Sequence, residues 1–212
     1  MTSQSATHIS VKIHGGDFLK QSSIPELELS HGQLLWAIAL GNDPSAEARD
    51  RARYLRLLGI PRPPAGKGPG SGQRIVYGFD DLVLVGLGML ALSNAFPPRT
   101  IKKGLVDRRS SLLMGVHSAW LDLPADIVDD PVSISRGKKL FGYESEFYVS
   151  FSGFGRGKQS KLDFIQTSKN PMQPVKIIPG ESPEILFSLK QWMPQWVAWA
   201  LRAPKQTRGR KS

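Results

Sequence analysis

Cysteine is absent from the 212 residues, so disulfides, thiolate metal sites, iron–sulfur clusters and cysteine nucleophiles are all excluded. Histidine is scarce. His8, His14, His31 and His117 are scattered, and none pairs with another at i,i+3 or i,i+4 spacing, which removes a zinc finger. Long apolar runs are lacking as well: the longest, Leu82 to Leu92, contains Gly86 and Gly88 and falls short of the about 20 residues a bilayer span needs. The opening MTSQSATHISVKIHGG has no apolar centre of the kind a secretory signal carries. No membrane partner is expected, and the chain reads as a cytoplasmic protein.

Acidic residues are the next shortage. Against 28 Lys and Arg stand 18 Asp and Glu, a formal net charge of +10 and a pI near 10.0. Such a balance favours polyanionic partners, because net charge governs association rather than fold. The excess is localised. Twelve basic and four acidic residues lie between Arg49 and Arg109, a local +8, and the stretch from Arg202 onward adds five basic residues and no acid. The rest of the chain is net negative, so the charge pattern suggests a basic domain followed by a basic tail.

What is present is helical punctuation. Residues 1–28 are polar and weakly patterned, with HISVKI as one short strand, and read as a flexible N-terminal segment. Ser30 suits the cap of a short apolar helix, Gln33 to Leu40, that ends at Gly41-Asn42. Asp43 then caps a second helix with Pro44 at its first position, running to Gly59. Two helices joined by a short turn make a helix-turn-helix candidate. At 100° per residue, Arg49, Arg53 and Arg56 fall within about 60° of each other, beside an apolar arc of Ala48, Ala52, Leu55 and Leu58. An arginine stripe of this kind matches a helix in a major groove, where guanidinium groups fork onto guanine edges or phosphates.

The stretch from Pro61 to Gly72 is rich in Gly and Pro and leads into the short strand Gln73 to Gly78. Neither the Gly-x-Gly-x-x-Gly nor the Walker A spacing is met, and the loop precedes a strand where nucleotide loops follow one. It reads as a wing over 62–74, with Arg62, Lys67 and Arg74 as DNA-backbone contacts. Phe79-Asp80-Asp81 opens a helix that is apolar nearly all round, in which Gly86 and Gly88 mark close backbone approach. Beyond Pro97-Pro98, Thr100 to about Leu121 is helical again, with Lys102 and Lys103 as further DNA-binding residues.

Arg53-Tyr54 with Gly59-Ile60, then Arg74 with Tyr77, then Asp81-Leu82 occur in this order and spacing across residues 30–109. The region resembles the winged helix-turn-helix of the mercury-resistance-regulator (MerR-like) family, over about 75 residues. The resemblance implies duplex DNA as partner, with Arg49, Arg53 and Arg56 toward the major groove and Lys67 and Arg74 on backbone or minor groove. The family's effector-sensing cysteines have no counterpart, so metal sensing is not carried over. Its long coiled-coil helix is not evident after Arg109, which leaves the mode of the expected homodimer open.

From about Pro124 the composition changes. Asp126 to Pro131 is an acidic patch, and the runs 132–134, 146–151, 161–166 and 175–178 alternate or are β-branched. They read as a small antiparallel sheet, followed by a final helix opening at Pro183-Glu184. Trp192, Trp196 and Trp199 share one face of that helix, as a packing face or a contact for a protein partner. Arg208, Arg210 and Lys211 in the terminal tail are accessory phosphate contacts. The expected fold class is therefore α+β: a flexible segment (1–28), a winged helix-turn-helix domain (29–123), an α+β domain with a C-terminal helix (124–203) and a disordered basic tail (204–212).

No catalytic constellation emerges. Asp80-Asp81 and Asp129-Asp130 are adjacent pairs that point apart, and His117-Ser118 has no third group beside it in sequence. The expectation is a non-enzymatic, nucleoid-associated DNA-binding protein without cofactor or metal, a transcriptional regulator or a plasmid or phage control protein. Two alternatives stand beside it: a scaffold whose helix-turn-helix is structural, and a single-strand or RNA binder through 147–161, where aromatics lie beside basic residues.

Overall fold

A hydroxyl and an amide start the first helix. In the computed structural model, which describes residues 21–62, 75–130, 145–152, 161–168 and 185–204, Ser30 caps α1 (His31–Ile38). The Gln33 N–H donates to Ser30 Oγ at 3.3 Å, and the Ser30 N–H donates to Gln33 Oε1 at 2.9 Å, a reciprocal capping box. After α1 the chain turns at Gly41, where φ is +80° and a Cβ would lie 2.5 Å from the Trp199 ring. Only glycine suits that position, on conformation and on space. Helix α2 (Ala46–Leu57) is capped by Ser45, two residues later than the expected Asp43 cap. Ser45 is itself extended (φ −62°, ψ 162°), and its Oγ accepts from the Ala48 N–H at 3.1 Å.

Helix α3 (Phe79–Ser93) is the central element, buried on most of its circumference as its apolar composition requires. Its first turn is held by Asp81, whose Oδ2 accepts from the Gly78 N–H at 3.3 Å. The expected continuous helix from Thr100 to Leu121 is divided. A short α4 (Pro98–Lys102) runs into a π-helical turn (Lys103–Asp107), the chain breaks at Arg108, and α5 spans Arg109–Leu121.

Three antiparallel strands follow: β1 (Ser145–Ser152), β2 (Lys161–Ser168) and β3 (Ile185–Ser188), side by side in the order β2-β1-β3. The β1–β2 register runs from Ser145 opposite Ser168 to Ser152 opposite Lys161, and β3 pairs Tyr148 with Ser188 through Phe151 with Ile185. The last helix, α6 (Leu189–Arg202), was expected to open at Pro183-Glu184. It begins at Leu189 because 185–188 is drawn into pairing with β1, and Ser188 then caps the helix by accepting from the Gln191 N–H at 3.3 Å.

The α+β expectation, with an antiparallel-sheet region as a defining half, is corrected. The described residues are mostly helical, and the helices build the core. Among the described side chains, the strands contribute only Val149 and Phe187 to it, whereas α3 alone contributes Leu82, Val83, Leu84, Val85 and Leu87. The physical reason is α6. Its apolar face packs on α1, α3 and α5, so the C-terminal helix completes the N-terminal helical core instead of covering a sheet of its own. One core thus crosses the boundary expected near residue 124, joining Trp120 and Leu123 to Ile127, Leu189 and Trp196.

Residues 21–28, read as flexible, are tied down. Gln21 N–H donates to the Leu123 carbonyl at 2.8 Å, and the Trp120 indole N–H donates to the Ser23 carbonyl at 2.9 Å. At the other end, Arg202 donates to the carbonyls of Val128 (3.0 Å) and Asp129 (2.7 Å), pinning that turn to the end of α6. No helix among the described residues is long and apolar enough to cross a membrane. The HISVKI strand, the runs at 132–134 and 175–178, and the tail from 205 onward lie outside the described residues.

Candidate nucleic-acid interface

The helix-turn-helix candidate is closed at its base by one backbone bridge. Leu29 and Tyr77 exchange both hydrogen bonds, at 3.0 and 2.9 Å, so the residue before the α1 cap lies beside the end of the expected wing. The bridge places the two ends of the 30–76 segment together. Arg62 is described and exposed; Lys67, Arg74 and the rest of the wing lie outside the described residues.

Within that segment, α2 has two faces. Ala52 and Leu55 are buried, and Leu55 fits against Gly88 of α3, where a Cβ would come within 2.8 Å of its methyl groups. Leu55 thus seats α2 on α3. Arg49, Arg53 and Arg56 are exposed and share one groove of about 580 Å³ with the start of α1. His31, Gln33 and Trp36 form the opposite wall, and Asp43 is the single carboxylate residue on the groove among the described residues.

The arginines differ in their neighbours. Arg53 donates to Asp50 Oδ1 at 2.9 Å, with both side chains largely in solvent. The guanidinium groups of Arg49 and Arg56 have no hydrogen-bond or ion-pair partner among the described residues. Arg51, on another side of α2, is occupied structurally by Glu47 (2.6 Å) and Ser93 Oγ (2.8 Å). The field of Arg56 reaches across the groove. Burial, and secondarily Arg56, hold the His31 imidazole below its ordinary value of 6.5. Burial pushes the Tyr77 hydroxyl above 10.0, with Arg56 opposing and Asp81 adding to the rise.

A second basic groove of about 460 Å³ lies at the root of the wing, where Arg62 meets Arg108, Arg109, Ser110 and Ser111. Arg109 also faces Asp81 Oδ1 at 3.4 Å. Sequence reasoning counted Arg108 and Arg109 as charge but did not join them to Arg62, since nothing local indicates that the start of α5 meets the end of α2. Lys102 and Lys103 are exposed at the end of α4 and line neither groove. Arg208, Arg210 and Lys211 lie outside the described residues.

No known protein family, curated protein or solved structure matches the chain. The functional reading therefore rests on these two grooves and on what surrounds them.

Two other features bear on it. Of the two readings of Trp192, Trp196 and Trp199, the packing face is what the fold uses: Trp196 is 1% exposed, stacked with Trp192 at 6.0 Å and seated over Gly86. Trp199 meets Trp36 edge-to-face at 5.4 Å, so the stripe packs inward, because α3 and α1 present glycine and indole to receive it. His117 Nε2 lies 2.6 Å from Asp80 Oδ1, a pair that fastens α5 to the start of α3 and that the sequence, with the residues 37 apart, did not join. Among the described residues, no group of three or more His, Asp or Glu is placed to hold a metal ion. Of the 147–161 side chains only Val149, which is buried in the core, is among those described.

Proposed function

We propose that this chain is a DNA-binding protein, a transcriptional regulator or a plasmid or phage control protein, that reads duplex DNA as a homodimer through a MerR-like winged helix-turn-helix. The observation that carries the reading is the face of α2: Arg49, Arg53 and Arg56 are exposed on one side, next to the positive end of α1, while Ala52 and Leu55 anchor the helix from behind. Arg53, its side chain 73% exposed, reaches base edges. Arg49 and Arg56 stand along the groove wall and take backbone phosphates. Arg62, with Arg108 at the wing root, takes a phosphate farther along the duplex. Such a protein works in the cytoplasm, on the nucleoid.

A mobility-shift titration against genomic fragments tests the reading. Arg53→Ala with Arg56→Ala is expected to remove sequence-specific retardation, and affinity of the unaltered chain is expected to fall steeply with salt. Retardation unchanged in the double variant would show that α2 is not the reading helix.

A further inference from the structure

The groove between α1 and α2 is more than an exposed helix face. It is concave, and at about 580 Å³ it falls among the volumes of small-molecule sites. One wall holds Arg49, Arg53 and Arg56; the other holds His31 and the half-buried indole of Trp36. Among the described residues, Asp43 alone opposes this charge on the groove itself, and Asp50 engages only Arg53. The guanidinium groups of Arg49 and Arg56 have no partner among the described residues. The first turn of α1 adds the positive end of a helix to the same space. The repulsion is felt within the fold, since Arg56 disfavours the charged form of His31. A concave cluster of unpaired guanidinium groups is relieved by a multiply charged anion. The indole beside it adds what a purine ring needs, an aromatic surface. The second basic groove, at Arg62 and Arg108, has arginines but no aromatic residue among the described residues of its lining and makes a useful contrast.

We propose that the α1–α2 groove is a binding site for a free nucleotide, its phosphates held by Arg49 and Arg56 and its base against Trp36. Because the same arginines face duplex DNA in the reading above, nucleotide and duplex exclude one another. That competition rests on the DNA-binding reading; the nucleotide site itself does not.

Isothermal titration with ATP, free of divalent metal and at constant ionic strength, tests the proposal on the full chain. One ATP is expected to bind per chain, and Arg49→Gln with Arg56→Gln is expected to weaken it about tenfold or more, as loss of charge-assisted hydrogen bonds does. Both arginines are exposed, so the fold should survive; circular dichroism checks this. Inorganic tripolyphosphate, which has the charge but no base, is expected to bind about tenfold more weakly than ATP. Equal affinity for the two, or ATP binding unaltered in the double variant, overturns the assignment. In a duplex mobility-shift titration, ATP is expected to raise the protein concentration needed for half-retardation. ATP binding without any duplex binding would sink the DNA reading and leave the nucleotide site standing, and duplex binding without ATP binding would do the reverse.

Discussion

Gly86 of α3 faces the indole of Trp196 of α6 so closely that a Cβ built on the glycine would lie 2.6 Å from the ring. Trp196 is fully buried and braced by Trp192, so it has little room to retreat. Two effects compete in Gly86→Ala. Helix propensity favours alanine by about 1 kcal/mol, while overpacking a tight core costs about 1–3 kcal/mol. The overlap with a rigid ring decides for the second. A net loss of about 1–2 kcal/mol is expected in urea unfolding, with the slope unchanged. A variant as stable as the parent would show that α6 shifts freely over α3.

The sequence makes one side of this contact legible and hides the other. Gly86 and Gly88 inside an apolar run announce close approach, but nothing local tells that Trp196 fills one notch and Leu55 the other. Elements specified by neighbours in sequence are readable: the Ser30–Gln33 capping box, the buried run from Leu82, and the arginine stripe on α2 follow from spacing alone. What depends on distant pairing is not. Residues 185–188 carry an apolar pattern that suits strand or helix, and only their pairing with β1 settles it. The α+β expectation failed for the same kind of reason, because the run of strand-like segments gives no hint that α6 would return to the first core. At the candidate site, helical periodicity gathered the three arginines, but the opposing wall of His31 and Trp36 comes from another helix.

Lys190 illustrates how α6 is held in register. Its ammonium is 2% exposed and lies 3.0 Å from Asp122 Oδ2, at the end of α5. Removing one member of a buried ion pair costs more than the pair itself contributes, because the remaining charge keeps its desolvation penalty. Asp122→Ala is expected to destabilise the protein by about 3 kcal/mol. Lys190→Met, which removes the buried charge and keeps the stem, is expected to cost clearly less. Urea midpoints of the two variants give the comparison; an Asp122→Ala effect smaller than that of Lys190→Met contradicts it.

His31 makes stability depend on pH in a stated direction. Burial first, and Arg56 second, lower its folded value below 6.5, so the unfolded chain binds the proton more readily. Stability from this group is complete above 6.5 and is lost as pH falls from there toward the folded value, where it levels off. His31→Asn is expected to flatten that part of the stability–pH profile. Arg56→Gln is expected to raise the imidazole value part of the way back, since burial remains, as followed by its ring proton shifts in NMR. A His31 value unmoved in Arg56→Gln would mean that the charge across the groove does not reach the imidazole.

Asp50 tempers the helix proposed to read DNA. Its carboxylate sits 2.9 Å from Arg53 Nη1, with both side chains about two-thirds or more in solvent (68% and 73% exposed). An exposed pair of this kind contributes at most about 1 kcal/mol to stability, so Asp50→Asn should leave unfolding almost unchanged. At a polyanion the same substitution acts differently, because it removes a negative charge from the contact face and releases Arg53 from its neighbour. Duplex affinity is expected to rise about fivefold, on the order of the roughly 1 kcal/mol that one Coulomb pair is worth in water. The slope of log affinity against log salt should steepen by about one phosphate contact. Both quantities come from mobility-shift titrations at a series of salt concentrations. If Asp50→Asn binds duplex no better than the parent, Arg53 does not face the phosphates or bases, and the orientation proposed for α2 is wrong.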